Sequence, residues 1–311
     1  MTTFDLREYL STRRAAVDRA LDRSISGQPG HTHAVWRAMR YGLFPGGKRI
    51  RPILTLAAGE LFGGKQKNLM PFACAVEMIH AYSLIHDDLP ALDDDDLRRG
   101  EPTAHRAFGE GIALLAGDGL LTEAFCLLSG PGVRKSLAAG LVLELIHEIG
   151  CAAGVAGLVG GQAADLEAED READLATVEY IHVKKTGALL LSSVRVGARV
   201  AGAKAADLRR ISRYGEYLGL AFQIADDVLD LQGEAQKLRA ESARKERKKA
   251  TYPAVVGVSQ AKQRLQELLQ HSVKQLSPFG VAAEPLRAIA GYVVGRALRE
   301  EADSKLQEMH P

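Results

Sequence analysis

The sequence predicts an all-α fold, and three features of it agree. Nearly every long segment repeats its apolar residues with a helical period, and no alternating run with turn signals predicts a β-hairpin. Hydrophobic residues make up 46% of the 311 residues and aromatic residues only 5%, a balance typical of helices packed through small side chains. Glycine and proline mark the breaks between the periodic segments. We therefore expect a protein built from helices.

Ten helices are predicted in chain order. They cover residues 4–23, 33–42, 49–62, 69–89, 109–128, 133–165, 174–201, 204–231, 251–271 and 283–307. The main breaks contain the residues that punctuate helices, namely Gly27 to Gly30, Pro45 to Gly47, Gly63 and Gly64, Gly130 to Gly132, and Pro278. Because no linker divides the chain, we expect a single domain over residues 1–311.

Composition and charge argue against several classes of partner. The formal net charge is +1, so nothing global predicts binding to nucleic acid or to an acidic membrane. The longest uncharged stretch, residues 149–164, is short for a membrane span, and the N-terminus lacks an apolar signal core. Cys74, Cys126 and Cys151 form neither a metal pattern nor a disulfide framework. We expect a cytoplasmic protein without a membrane span.

Two clusters of aspartates are the most informative feature of the chain. The first cluster is Asp87, Asp88 and Asp93, and the second cluster is Asp226, Asp227 and Asp230. Carboxylates this dense repel one another and persist where water solvates them or cations neutralise them. One acidic run alone is usually a solvated loop. Two clusters, each after an apolar helical stretch, instead favour a site where Mg²⁺ joins the protein to a phosphorylated ligand.

The two clusters differ in their expected geometry. At about 100° per residue, Gln223 and the second cluster fall within one narrow arc of a helix. Pro90 lies inside the first cluster and disfavours helix at the residue before it. The helix should therefore end or bulge there, and Asp93 should return toward Asp87 from a loop.

Three basic groups accompany the clusters. They are Lys48 with Arg51 at a predicted helix start, Arg98 with Arg99 directly after the first cluster, and Lys184 with Lys185 in an otherwise apolar helix. The first two groups could be an ordinary cap and a charge balance for the aspartates. The lysines, however, need an anionic partner or an aqueous cavity. Together the groups could bind phosphate.

The histidines near the first cluster carry less information. His80 lies on the same helical face as Asp87, although a lone histidine on an apolar helix is usually structural, and we expect His86 to be structural as well. The basic run from Glu234 to Lys249 reads as a solvated loop, or as a lid that closes over phosphate.

In this order, the motifs resemble the polyprenyl synthetase family, the trans-isoprenyl diphosphate synthases. The segments that carry the resemblance are GGKRIRP at 46–52, EMIHAYSLIHDD at 77–88, LRRGEPT at 97–103, KTG at 185–187, FQIADDVLD at 222–230 and KATYP at 249–253. The resemblance implies a single all-α domain of antiparallel helices around a central active-site cavity, the isoprenoid synthase type. It also implies several Mg²⁺ ions bound with diphosphate, and usually a homodimer.

The resemblance also implies roles for individual residues. Isopentenyl diphosphate would be held by Lys48, Arg51, His80 and Arg99, and the allylic diphosphate by Arg98, Lys185 and Lys249. Mg²⁺ would be held by both aspartate clusters: Asp87, Asp88, Asp93, Asp226, Asp227 and Asp230. Thr186 and Gln223 would face the forming cation, and with Lys185 and Arg98 they make up the expected catalytic set. Tyr82 and Ser83 would set the chain length of the product.

The expected function is a short-chain prenyltransferase that condenses isopentenyl diphosphate with dimethylallyl and geranyl diphosphates to farnesyl diphosphate. Geranylgeranyl diphosphate synthesis remains an alternative, since it uses the same residues. A non-catalytic regulatory subunit is an alternative of another class, although both aspartate clusters are intact here. One departure lies after the second cluster, where Ala240 replaces the lysine usual in the family and Lys237 or Arg239 would have to substitute.

Overall fold

The computed structural model describes residues 4–26, 32–169, 173–237 and 251–298, and these ranges confirm the predicted all-α fold. The α-helices within them are α1 (Leu6–Ser24), α2 (His33–Leu43), α3 (Ile50–Leu61), α4 (Gln66–Asp87), α5 (Ala104–Phe108), α6 (Glu110–Leu128), α7 (Pro131–Arg134), α8 (Ala139–Ala153), α9 (Leu158–Ala168), α10 (Leu175–Ile181), α11 (Ala188–Val200), α12 (Ala205–Lys237), α13 (Tyr252–Val256), α14 (Val258–Gln275) and α15 (Glu284–Leu298). A π-helical turn, His182–Gly187, joins α10 to α11, and a 3₁₀ segment, Ser277–Ala283, precedes α15.

A short hairpin between α4 and α5 was not predicted. Strand β1 (Leu97–Arg98) pairs antiparallel with β2 (Glu101–Pro102). Arg99 and Gly100 form the turn, with φ of 56° and 84°. Positive φ at both central residues matches the twist of a two-residue hairpin. Two residues per strand are too few to show an alternating pattern in the sequence.

Several predicted helices are interrupted in the structure. The expected helix 133–165 is divided into α7, α8 and α9, and residues 154–157 form the turn between the last two. Gly257, at φ of 85°, divides the expected helix 251–271 into α13 and α14, and Gly109, at φ of 84°, separates α6 from the short helix α5, which was not predicted. Because glycine adopts positive φ without steric cost, these breaks required no proline.

The chain forms two compact units. The first comprises residues 1–150 and 192–208, and the second comprises residues 151–191 and 209–311. Each unit contains one aspartate cluster, and the single-domain assignment stays a prediction.

In the first unit, α4 is the central helix. It packs against α1, α2, α3 and α6. Phe72, Val76 and Ile79 are fully buried, and burial continues to Ile85 near its end. A helix that is apolar on all sides is stable only when its neighbours enclose it. The first aspartate cluster therefore begins at the end of a helix anchored on every side.

In the second unit, α12 supplies much of the core. Ile224, Ala225 and Val228 are buried in a cluster that includes Leu265 of α14 and Val294 of α15. These apolar residues alternate along α12 with Gln223 and the second aspartate cluster. The packing of one helical face therefore fixes the direction in which the acidic face points.

Three helical stretches within the described ranges are long and apolar enough to cross a membrane: Gln66–Asp87, Glu110–Arg134 and Ala139–Ala168. The first is the core helix α4, and 72% of its most apolar window is buried. The other two windows are 33% and 39% buried. The absence of a membrane span stays a prediction.

Candidate active site

The first aspartate cluster lies where α4 ends. Asp87 is the last helical residue, so the helix ends before Pro90, two residues earlier than the predicted end at residue 89. The backbone N–H of Asp93 donates to the carbonyl of Asp87 at 2.8 Å, which confirms that Asp93 returns from a loop. Both residues are partly exposed. The loop thus brings the backbones of the first and last members of the cluster into direct contact.

Asp88, the middle member, is bonded to a predicted ligand residue. Its side chain is buried, and its Oδ1 accepts a hydrogen bond from Arg98 Nε at 2.6 Å. Burial raises the pKa of the Asp88 carboxyl, and the bond with Arg98 opposes that shift. Arg98 also reaches Asp95 at 3.4 Å. Asp88 and Arg98 therefore anchor each other, with only part of Arg98 exposed.

The glycine turn at Gly46 and Gly47 packs against Arg99 in the first unit. Arg99 Nη1 donates to the carbonyl of Gly46, and a Cβ on Gly47 would come within 2.8 Å of the same atom. Burial and then the charges of Arg51 and Arg99 hold the pKa of His80 well below its usual value. His80 is therefore neutral near pH 7 and offers one N–H donor next to two guanidinium groups. Such a set suits an anion.

The arginine next to Lys48 has a different role. Arg49 is buried at the start of α3 with φ of 51°. Its guanidinium donates to Asp18 at 2.8 Å, to Glu77 at 2.7 Å and to the carbonyl of Leu43 at 2.7 Å. These three protein acceptors engage each of the guanidinium nitrogens. Arg49 is thus structural, while the side chain of Lys48 is exposed.

The predicted catalytic residues of the second unit meet through the π-helical turn and α12. Thr186 Oγ1 donates to Gln223 Oε1 at 2.7 Å, across 37 positions of sequence. Lys185 Nζ donates to Asp165 Oδ2 at 2.6 Å. All four side chains are partly exposed. The predicted pair Thr186 and Gln223 is therefore in contact, and Lys185 has the anionic partner that its apolar surroundings required.

The π-helical turn is held by close backbone packing. A Cβ on Gly161 of α9 would lie 2.1 Å from the backbone nitrogen of Lys185. A Cβ on Gly219 of α12 would lie 2.9 Å from the Cα of Gly187. Single-turn π segments are rare and occur frequently at functional sites. Here the widened turn presents Lys185 and Thr186 from one rigid segment.

The three members of the second aspartate cluster have different surroundings. Asp226 Oδ1 lies 3.5 Å from Arg296 Nη1, and Asp230 is exposed. Asp227 is buried, and its carboxylate accepts from the backbone N–H of Tyr252 at 2.8 Å and from Gln223 Nε2 at 3.2 Å. Its Oδ2 also lies 3.1 Å from His182 Nε2. Gln223 and the three aspartates all lie on α12, but Asp227 points into the protein.

The exposed and partly exposed carboxylates of the two clusters suit the open coordination that Mg²⁺ prefers. In the described part of the chain, no three His, Cys, Asp or Glu side chains converge as a closed ligand set. Mg²⁺ usually binds through one or two carboxylates and is completed by water and substrate phosphate. The partly exposed Asp87 and Asp93, joined through their backbones, fit that description. In the second cluster, Asp226 and Asp230 fit it better than Asp227.

The two chain-length candidates lie on the buried part of α4. Tyr82 is 6% exposed, and its ring meets the ring of His86 edge-on at 5.7 Å between centroids. Burial and the charge of Asp87 raise the pKa of the Tyr82 hydroxyl. Ser83 is buried, and its hydroxyl donates to the carbonyl of His80 at 2.9 Å. Tyr82 is therefore enclosed and close to the first cluster.

Sequence reasoning missed Asp165, His182 and Arg296. The predicted ligand residue Lys249 and the predicted lid Glu234–Lys249 lie outside the residues whose side chains are described. Asp165 had a signal, because it is the first charge after the longest uncharged stretch. His182 and Arg296 had none, since their contacts depend on how the helices pack.

Comparison with known proteins gives one family. The family model described as polyprenyl synthetase matches residues 33–279. The geranylgeranyl diphosphate synthase of Cyanophora paradoxa is 44% identical over 298 residues, covering 95% of this chain and 98% of that protein. The farnesyl diphosphate synthase of Escherichia coli (strain K12) is 43% identical over 297 residues, covering 94% and 99%.

A solved structure agrees with these relatives. The apo FPP/GFPP synthase from Zymomonas mobilis superimposes with a TM-score of 0.83 at 37% sequence identity. The match covers 93% of this chain and 98% of that protein.

Proposed function

Because this chain belongs to the polyprenyl synthetase family, we propose that it is a prenyltransferase that makes farnesyl diphosphate. It would join isopentenyl diphosphate to dimethylallyl diphosphate and then to geranyl diphosphate, with Mg²⁺ bound together with diphosphate. The observation that carries this proposal is the Thr186–Gln223 contact beside the Lys185–Asp165 pair. It gathers residues distant in sequence into one polar site, as the family's chemistry requires.

In the proposed reaction, the allylic C–O bond breaks and its electron pair leaves with the diphosphate. Mg²⁺ would supply charge that stabilises the leaving diphosphate. Lys185 and Arg98 would add fixed positive charge to the leaving group, which helps most where charge develops. Asp165 and Asp88 hold these two cations in place. Thr186 and Gln223 would face the allylic cation with oxygen atoms.

The second substrate completes the reaction. Lys48, Arg51, Arg99 and neutral His80 would hold isopentenyl diphosphate, whose double bond attacks the allylic cation to form the new C–C bond. A proton then leaves C2 of the isopentenyl unit, the carbon next to the new cationic centre on the side of its diphosphate, and passes to the released diphosphate. No protein base is needed for this step. Incubation with labelled isopentenyl diphosphate, dimethylallyl diphosphate and Mg²⁺, followed by mass analysis, tests the proposal; absence of any prenyl diphosphate product would refute it.

The two diphosphates should bind at separate places. We expect Lys48→Ala and Arg51→Ala to weaken isopentenyl diphosphate binding more than allylic binding, and Lys185→Ala to do the reverse. Each variant is titrated with one diphosphate at a time in the presence of Mg²⁺. Lys184→Ala is the matched control, because Lys184 Nζ donates to the carbonyl of Ala156. Equal losses for both ligands in all variants would contradict two separate sites.

Product length should depend on Tyr82. The growing chain must extend from the first cluster into apolar surroundings, and Tyr82 lies about 8 Å before Asp87 along the helix, at about 1.5 Å per residue. We expect Tyr82→Ala to shift products from fifteen carbons to twenty or more, because a buried ring is removed. Chromatography of the dephosphorylated alcohols measures this. Tyr82→Phe keeps the ring and should keep the length.

The products distinguish the alternative functions. Geranylgeranyl diphosphate synthesis, the activity named for the Cyanophora paradoxa relative, would give mainly twenty-carbon product in the wild type. An active Tyr82→Ala variant with an unchanged profile would assign chain length to another residue. A non-catalytic subunit would give no product at all, but both aspartate clusters argue against it.

We also propose a cytoplasmic homodimer. Leu114 and Leu115 of α6 and Leu143 of α8 are exposed, and large exposed apolar side chains often mark a protein interface. Cys74, Cys126 and Cys151 form no disulfide, which suits a reducing compartment. Sedimentation of the purified protein would test the dimer.

A further inference from the structure

The starting observation is a chain of hydrogen bonds that ends on a buried carboxylate. Thr186 Oγ1 donates to Gln223 Oε1 at 2.7 Å, and Gln223 Nε2 lies 3.2 Å from Asp227 Oδ1. The other oxygen of Asp227 accepts from the backbone N–H of Tyr252 at 2.8 Å and lies 3.1 Å from His182 Nε2. The Asp227 side chain is only 8% exposed. Both of its oxygens therefore face protein donors.

The Asp227 carboxylate determines which group donates and which accepts in each of these hydrogen bonds. An ionised carboxylate can only accept, so Gln223 must turn its NH₂ group toward Asp227. The amide oxygen of Gln223 then faces Thr186, which must donate its single hydroxyl hydrogen to it. The remaining capacity of the Thr186 oxygen is its lone pairs. Toward any ligand, Thr186 thus presents negative partial charge and no hydrogen.

We propose that Asp227 is a positioning residue, which orients the Gln223 amide so that Thr186 presents oxygen lone pairs to a carbocation. The identity of that cation rests on the proposed function. In this arrangement Asp227 stabilises the allylic cation through two intervening side chains and without touching substrate or metal. A metal-ligand role would require its buried oxygens to leave Tyr252, Gln223 or His182.

The substitution Asp227→Asn should reverse the donor–acceptor direction of these hydrogen bonds. In Asp227→Asn, the one amide oxygen suits the side where the Tyr252 N–H and His182 converge. Its NH₂ group then faces the NH₂ group of Gln223, which relieves the conflict by turning its amide over. Thr186 must now accept, and its hydrogen points away from Gln223. Since a misdirected dipole at the cation opposes charge development, we expect kcat to fall at least about tenfold.

A second substitution should restore the original direction. In the double variant Gln223→Glu/Asp227→Asn, the new carboxylate at position 223 accepts from the new amide at position 227 on one side and from Thr186 on the other. Thr186 donates again, and the pair keeps the net charge of the wild type. We expect the double variant to regain most of the kcat lost in Asp227→Asn. Gln223→Glu alone sets two carboxylates against each other and should lower the melting temperature, which the double variant should recover.

The four proteins of this double-mutant cycle are compared by kcat, by KM for each diphosphate, by the Mg²⁺ concentration for half-maximal activity, and by thermal unfolding. Recovery of kcat in the double variant, with unchanged Mg²⁺ dependence throughout, supports the proposal. It is overturned if Asp227→Asn keeps wild-type kcat, or if it needs far more Mg²⁺ and the second substitution brings no recovery. Wild-type protein without prenyl transfer would refute the proposed function, while the unfolding data would still test the hydrogen-bond direction.

Discussion

Replacing Asp87 by alanine should lower turnover at least roughly a hundredfold while the fold is retained, as expected when stabilisation of charge in the transition state is lost. Asp87 ends the enclosed helix α4, and its backbone carbonyl accepts from Asp93. The substitution removes a carboxylate without disturbing that backbone bond. Turnover with saturating Mg²⁺ and circular dichroism decide the matter.

A matched control lies in the same acidic run. Asp96 is exposed and pairs with Arg106 at the surface, where ion pairs contribute little. Asp96→Ala should leave turnover near that of the wild type. If Asp87→Ala and Asp96→Ala were equally active, the first cluster would not be a metal site.

The second cluster needs a further control, because Asp226 has a protein partner. We expect Asp226→Ala to lose turnover as strongly as Asp87→Ala. Asp226 lies 3.5 Å from Arg296, so Arg296→Met tests the loss of that ion pair alone. A similar loss in Arg296→Met would mean that the ion pair, and not metal binding, explains the effect.

The fold was predictable where local chemistry decides it. Helices α2 and α3 and the end of α4 follow from periodicity and from glycine or proline at their ends. The π-helical turn His182–Gly187 was not predictable, because the widened turn depends on Gly161 of α9, which no local pattern connects to it. Long-range packing overrides helical periodicity at that point.

In the candidate active site, too, the contacts that depend on long-range packing could not be predicted. The motifs identified Thr186 and Gln223, and the structure joins them. The motifs could not tell Asp226 from Asp227, because adjacent residues on a helix differ by about 100° and only the packing shows which one points inward. Asp165, the partner of Lys185, lies in another helix and in no motif.

The substitution Arg49→Met should have the largest effect on stability. Arg49 and Glu77 form an ion pair at 2.7 Å, and their side chains are 4% and 6% exposed. Removal of one partner of a buried pair costs about 3–5 kcal/mol, because the other charge stays buried without compensation. Arg49→Met should therefore lower the melting temperature by at least roughly 5 °C. Arg40→Met, which breaks an exposed pair with Asp22, should change it little.

The double variant Arg49→Met/Glu77→Met separates burial of charge from ligand binding. Replacing both members of a buried pair by apolar residues of similar volume is often neutral, so the melting temperature should return toward that of the wild type. Because every acceptor of Arg49 belongs to the protein, isopentenyl diphosphate should bind the double variant nearly as well as the wild type. Lys48→Ala should show the opposite pattern, with weaker binding and unchanged stability. Restored stability with lost affinity in the double variant would instead place Arg49 in contact with the ligand.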